Sequence, residues 1–240
     1  MKDSLREMAD RASEVNPIVF GLLVVSVVGM NLLANKSVNT GLDWLALDCG
    51  ILLSWLTFLT MDVMTHCYGP RTATFMSYVA LAINLLMAGV FFVAGNVGGV
   101  WAESFVEGSE QVINGALDHT FSGTWFIILG SSIAFAVSAL ANNFINWGIG
   151  LVVGTGDRFV SFATRSYVST FLGQFIDNIV FALLVSRVFF GWTLIQCVTC
   201  ALTGAMLELL FEIFFSPIGY RISKRIGFTA PAMEGVPSVG

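Results

Sequence analysis

Arg165, Ser169, Gly173 and Asp177 follow one another at intervals of four residues, with Ser166, Thr170 and Gln174 directly beside them. On a helix this spacing lines them along one side. The neighbouring Val168, Phe171, Leu172, Phe175, Ile176 and Val180 are apolar. A cation, hydroxyls, a primary amide and a carboxylate in apolar surroundings suit hydrogen-bonded recognition of a small polar molecule. Gly173 leaves room for a ligand or a second helix to come close. Small polar residues also glue membrane helices together, which accounts for the serines and the glycine but not for Gln174 beside Asp177.

Three further carboxylates stand in apolar stretches: Asp62, Glu208 and Glu212. Ionisable groups in such places cost several kcal/mol and, as a rule, face a bundle interior and act there. Glu208 and Glu212 are one helical turn apart, so two negative charges would repel. At least one of them must be protonated, wet or paired with a cation such as Arg165, which makes the two candidates for proton coupling. Asn31, Asn142, Asn143 and Asn146 add amides that both donate and accept. With Gln174 and Asp177, they fit a planar heterocycle: a carboxylate takes two N–H bonds from a guanine-type edge, and an amide pairs with a carbonyl or ring nitrogen.

Other chemistries find less support. Cys197 and Cys200 form a C-x-x-C without a second pair, and His66 and His119 are the only histidines. That leaves too few ligands for zinc, so neither metal nor cofactor is expected. Gly154-Thr-Gly-Asp157 matches the G-x-G-D of intramembrane aspartyl proteases. Such a protease needs a second aspartate facing the first, and a glycine-rich turn explains the motif equally well. There is no phosphate-binding loop. A net charge of −5 argues against nucleic acid as a partner.

The elements that hold these groups must be membrane helices. Hydrophobic residues make up 56% of the 240 and charged residues 11%, with mean hydropathy +0.81. Crossing about 30 Å of hydrocarbon takes around 20 apolar residues per helix, and such runs fill most of the chain. The pattern predicts an all-α, six-span protein. Its spans run from Pro17 to about Ala34, from Leu42 or Trp44 to Met64 (ended by Gly69-Pro70), and from Thr72 to Ala94. The others are Thr124 to about Ile149, Arg165 to Phe189, and Trp192 to about Ile222. An acidic amphipathic segment with Glu103, Glu107, Glu110 and Asp118 separates the third and fourth spans. A polar N-terminus (1–16) precedes the membrane domain (17–226), and a Pro/Gly/Ser-rich tail (227–240), expected to be flexible, follows it. With the N-terminus inside, Lys2, Arg6, Arg11, Arg71, Arg158, Arg165, Arg221, Lys224 and Arg225 fall on the inner side. Only Lys36 and Arg187 fall outside. This imbalance predicts both ends in the cytosol.

Two segments carry a family resemblance. Thr60-Met-Asp62-Val-Met-Thr-His66-Cys-Tyr68-Gly69-Pro-Arg71-Thr-Ala73 resembles the T-D-x-x-x-E-x-Y-G-x-x-x-A signature of the queuosine-precursor transporters, also called the vitamin uptake transporter-like family. Arg165 with Ser169-Thr-Phe-Leu-Gly-Gln174-Phe-Ile-Asp177-Asn-Ile-Val-Phe181 resembles that family's R-x-x-x-S-T-x-x-x-Q-x-x-D-T-x-x-F. Glu208-x-x-x-Glu212-x-x-x-x-Pro217 falls where the family often has K-x-x-x-E-x-x-x-x-P. The resemblance covers about residues 18–226. It implies a non-enzymatic, multi-pass importer in the plasma (inner) membrane. Its cargo would be 7-deazaguanine compounds salvaged for the queuosine modification of transfer RNA. Asp62, Arg165, Gln174, Asp177 and Glu212 carry over as substrate-site residues, joined by Asn142, Asn146 and Ser169. His66 and Glu208 depart from the pattern and bear on the choice among cyano, aminomethyl and free-base substrates. Uptake of another vitamin-like heterocycle is the alternative; an intramembrane protease and a structural scaffold are rivals of other classes. The lipid bilayer and a purine-like small molecule are the expected partners, with a homodimer or a partner ATPase left open.

Overall fold

The computed structural model describes residues 12–38, 41–42, 47–101, 110–122, 125–153 and 158–227. It is a helical bundle. Helix α1 (Pro17–Leu33) starts at Asn16, whose side chain accepts from the Ile18 and Val19 amides, with Pro17 in the first turn where no donor is lost. A two-strand ribbon follows, β1 (Ser37–Val38) antiparallel to β2 (Leu47–Asp48). Helix α2 (Ile51–Tyr68) runs back, and the Tyr68 hydroxyl accepts from the Asn16 amide at 3.0 Å. Helix α3 (Pro70–Asn96) comes next, then the short α4 (Glu110–Ser122) packed on it, and α5 (Trp125–Val153). Helix α6 (Phe159–Phe181) continues through a π-helical turn (Ala182–Ser186) into α7 (Arg187–Phe190). Gly191, at φ 70°, ends that rod. Helix α8 (Leu194–Ile226) opens with a reciprocal Thr193–Gln196 capping box and passes through Pro217.

Several boundaries differ from the sequence reading. The second helix begins at Ile51, because Leu47–Asp48 pairs in the ribbon and the Asp48 carboxylate takes the Gly50 amide at 2.7 Å, a local bond that competes with helix. The same helix runs on to Tyr68. It stops at Gly69, whose φ of 82° only glycine adopts freely, and Pro70 starts α3. Helix α6 begins six residues before Arg165. That arginine is therefore an interior residue, not a flanking one, and the inner-side tally of basic residues falls from nine to eight. Residues 1–11, Glu103, Glu107, the Glu110 side chain, Gly154 to Asp157 and the tail from 228 lie outside what the structure describes. In the acidic segment, Asp118 accepts from the Trp101 indole at 2.8 Å.

Polarity is distributed inside out. Thr57, Asp62, Asn142, Ser166, Thr170 and Glu212 are 0% exposed, whereas Val152 is 86% and Phe214 75% exposed. In water that outer surface would associate or aggregate; in lipid it is the stable arrangement. Helix α3, the apolar stretch Gln111–Val153 that contains α5, the rod Phe159–Ser186 and helix α8 are each long and apolar enough to cross a bilayer. The chain is a multi-pass membrane protein. Helix α1 is apolar but has only 17 residues. Helix α2 is the polar exception because it is central: every residue from Thr57 to Thr65 is buried, and it touches α1, α3, α5, α6 and α8. A helix enclosed by others need not satisfy lipid.

Candidate substrate site

The stripe read from the sequence forms the seam between α5 and α6. The two helices pack antiparallel, and each contributes a ladder of every fourth residue. Asp177 accepts from the Ser138 hydroxyl at 2.7 Å. A Cβ on Gly173 would lie 3.0 Å from that of Asn142. Asn146 donates to the Ser169 hydroxyl at 3.2 Å. A Cβ on Gly150 would lie 2.8 Å from the Arg165 guanidinium carbon. The rungs Ser138–Asp177, Asn142–Gly173, Asn146–Ser169 and Gly150–Arg165 thus follow in register, as ridges of fourth neighbours do when helices interlock. Gly173 admits a helix: its missing side chain is replaced by Phe58, 2.7 Å from the Cβ position, and by Asn142.

Helix α2 lays Asp62 across the middle of this seam. Its Oδ1 accepts from Asn142 Nδ2 at 2.9 Å and from the Ser169 hydroxyl at 3.1 Å. Its Oδ2 accepts from Ser166 at 2.6 Å and from Thr170 at 3.1 Å. Four donors around a fully buried carboxylate are what keeps an anion tolerable away from water. Its counter-charge is Arg165. That guanidinium donates to the Asn146 backbone carbonyl (Nε, 3.2 Å), to Asn146 Oδ1 (2.9 Å) and to His66 Nδ1 (3.0 Å). Accepting at Nδ1 means that His66 is unprotonated there, so the imidazole is neutral. Arg165 and Asp62 are joined through Asn146 and Ser169, a four-residue chain of hydrogen bonds. On the other side, Ser166 also contacts Glu212 Oε1 on α8.

A second polar level lies toward the start of α2. Glu208, 4% exposed, accepts from Ser54 at 2.5 Å. Asn178 sits against Gly204, where a Cβ would come within 2.7 Å of its amide nitrogen. Asp48, in the ribbon outside the helices, has its carboxyl pushed up to about 6 by burial, partly offset by the Gly50 N–H.

Five buried polar atoms in and between these levels have no partner among the described residues: Asn142 Oδ1, Gln174 Nε2, Asn178 Nδ2, Glu208 Oε2 and Glu212 Oε2. An unmet buried group costs about 1–3 kcal/mol, so each of these calls for a water, an ion or a ligand as its partner. A separate shallow cleft, lined by Asn31, Asn35, Asn84, Phe91 and Phe121, holds two more, Asn35 Oδ1 and Asn84 Nδ2. It carries no charge, and Asn31, there bonded by Ser131, lies away from the Asp62 cluster.

Most of the anticipated residues converge. Asp62, Asn142, Asn146, Arg165, Ser169 and Glu212 form one connected network, Gln174 is buried on the same helix, and Asp177 is half-buried one rung beyond Gly173. Glu208 and Glu212 do not share a partner: Ser54 holds one and Ser166 the other. Asn143 is a strut, accepting from Thr65 and donating to Thr74, each at 3.1 Å. The sequence reading did not single out Ser138, Gly150 and Ser54. Ser138 and Gly150 continue the Asn142–Asn146 spacing by one step in each direction, and that ladder was the available signal; Ser54 had none. Among the described residues no group of three or more histidines, cysteines or carboxylates is placed to hold a metal ion.

No curated protein and no solved structure matches the chain. One family model does match, that of the "putative vitamin uptake transporter", over residues 48–222, which contain every member of the Asp62 network. The inside-out bundle, its buried charged network and this match over most of the chain lead to one conclusion: the protein belongs to the vitamin uptake transporter family.

Proposed function

We propose that the protein imports a queuosine precursor, a 7-deazaguanine-type base, across the plasma membrane. One observation carries this reading. The five unmet atoms comprise three acceptors (Asn142 Oδ1, Glu208 Oε2, Glu212 Oε2) and two donors (Gln174 Nε2, Asn178 Nδ2). A guanine-type edge offers the complement: ring and exocyclic N–H donors beside a carbonyl acceptor. Asp177 adds an anionic acceptor next to Gln174. The Asp62–Arg165 network fixes the α2, α5 and α6 wall of the site, and the two motif resemblances fall on these same residues. In this reading six helices cross the membrane with both ends in the cytosol, an orientation that eight basic residues against two still favour. The domain limits remain 17–226 for the transporter core, with the polar N-terminus and the tail outside it.

Thermal-shift titration of the purified protein with 7-deazaguanine, its 7-cyano and aminomethyl forms, and an N1-methylated analogue tests the assignment. The free N1–H forms should bind, and methylation should weaken binding at least about tenfold, the cost of one lost hydrogen bond with its partner left unmet. If the methylated base binds as well as the parent, the edge is not what the site reads. The family description equally accommodates another vitamin-like heterocycle, which the same titration would reveal. The protease alternative predicts that Asp157→Ala abolishes cleavage of a membrane substrate.

A further inference from the structure

The hydroxyl of Ser166 lies within hydrogen-bonding distance of two carboxyl groups at once, Asp62 Oδ2 at 2.6 Å and Glu212 Oε1. A serine has one proton to donate. It can satisfy one carboxylate; the second contact is attractive only if that carboxyl brings its own proton. Asp62 has four donors within reach, two on each oxygen; the Asn142 amide and the Thr170 hydroxyl commit to it, while Ser169 divides its one proton between Asp62 and the Ser166 carbonyl at 3.0 Å. Among the described residues Glu212 accepts from none other, and its Oε2 has no partner although the residue is 0% exposed. The surplus proton therefore belongs to Glu212 Oε1, which donates to Ser166 Oγ while Ser166 donates to Asp62.

The surrounding charges agree. Helix α2 brings Asp62, neutral His66 and the thiol Cys67, and α6 brings Arg165. Helix α8 brings Glu212 and, one turn away, Glu208; Asp177 stands about three turns beyond Arg165 on α6, and α5 contributes amides and Ser138. One guanidinium and one carboxylate balance at this level, so a second carboxylate would be an uncompensated buried charge.

We propose that Glu212, Ser166 and Asp62 form a proton-binding site through which uptake is coupled to proton movement. Transfer is balanced: the Glu212 proton passes to Ser166 Oγ as the Ser166 proton passes to Asp62 Oδ2, leaving a glutamate anion, an aspartic acid and an unchanged serine. A substrate N–H group that reaches the unmet Glu212 Oε2 favours the glutamate anion and drives the transfer. The proton stays in the site on Asp62, so a single anion still faces Arg165 while the substrate is bound, and substrate and proton occupy the site together.

The proton site is tested without any ligand by infrared difference spectroscopy of the purified protein in lipid nanodiscs at neutral pH. Wild type minus Glu212→Gln should show loss of a carboxylic-acid C=O band and no loss of a carboxylate band. Ser166→Ala, which keeps both carboxyls, should shift that acid band to higher frequency as it loses its acceptor. Asp62→Asn should also remove the acid band, because Glu212 then becomes the anion that balances Arg165. Loss of a carboxylate band in Glu212→Gln, or an acid band indifferent to Ser166→Ala, overturns the proposal. Coupling is tested by uptake of 7-deazaguanine into proteoliposomes, and only this arm rests on the import reading. An inward proton gradient should accelerate wild-type uptake and leave Glu212→Gln unaffected. Wild-type uptake that ignores the gradient overturns coupling. No uptake at all contradicts the substrate assignment, while the infrared result still decides the proton site.

Discussion

Removing both Asp62 and Glu212 should cost more than the two single changes together. In Asp62→Asn, the new amide oxygen can keep the Asn142 and Ser169 bonds, while Ser166 and Thr170 must turn to accept from its nitrogen. Ser166 then directs its proton to Glu212, which takes over the negative charge facing Arg165. The net loss is a few weakened bonds, about 1–3 kcal/mol. Glu212→Gln exchanges one neutral donor to Ser166 for another and should cost about 1 kcal/mol or less. The double variant leaves Arg165, only 3% exposed, with no anion in its network. Breaking a buried pair from one side costs about 3–5 kcal/mol. The expected coupling is thus about 1–1.5 kcal/mol, inside the range for residues that share a network. Denaturation of the four proteins in lipid nanodiscs measures it. Additivity within about 0.5 kcal/mol would show that the two carboxyls do not substitute for one another. A Glu212→Gln variant clearly more stable than wild type would show two repelling anions, and would refute the proton assignment as well.

Gly150→Ala should place a Cβ 2.8 Å from the Arg165 guanidinium carbon and push it off Asn146 and His66, lowering uptake at least about tenfold at unchanged expression, since each lost charged bond is worth about 1.5–3 kcal/mol. Asn143→Ala should lower stability by about 1–3 kcal/mol, because it strands Thr65 and Thr74; substrate affinity of the folded fraction should not change, as titration would show. For Asp48, burial raises the folded-state value to about 6 from 3.8. The unfolded chain thus loses the proton first, and the penalty on the fold is absent below about pH 4, grows as pH rises to about 6 and is complete above. Asp48→Asn should therefore be more stable than wild type at about pH 8, with the advantage gone near pH 4, as melting curves at both values would show.

The sequence made the site more legible than the boundaries of the helices around it. Asp62, Arg165 and Glu212 were conspicuous because charge in an apolar run is costly wherever it falls. The four-residue stripe on α6 was readable because helical periodicity needs no tertiary information. What faces the stripe did need it. Ser138 and Gly150 look like ordinary membrane-helix residues until α5 is laid antiparallel to α6 in register. In the sequence Ser166 is only a neighbour of the stripe; its importance comes from two carboxylates supplied by other helices. The start of α2 was misplaced because Leu42 to Gly50 is apolar enough to extend a helix. The Asp48–Gly50 bond and the pairing with Ser37–Val38 decide otherwise, and both are local contests that hydropathy does not weigh. The end of α2 was likewise placed four residues early, although Gly69 and Pro70 marked it correctly.

The central claim is that this bundle carries a guanine-like base on a site walled by α2, α5, α6 and α8. Its most direct test is uptake of labelled 7-cyano-7-deazaguanine by a host that lacks both its own synthesis and its own importer, with queuosine in transfer RNA as the readout. The protein should restore the modification, and Gln174→Leu and Asp177→Asn should each abolish it while reaching the membrane in normal amounts. Failure of the wild-type protein to restore queuosine with any of the three deazaguanine forms, or full restoration by both variants, would contradict it.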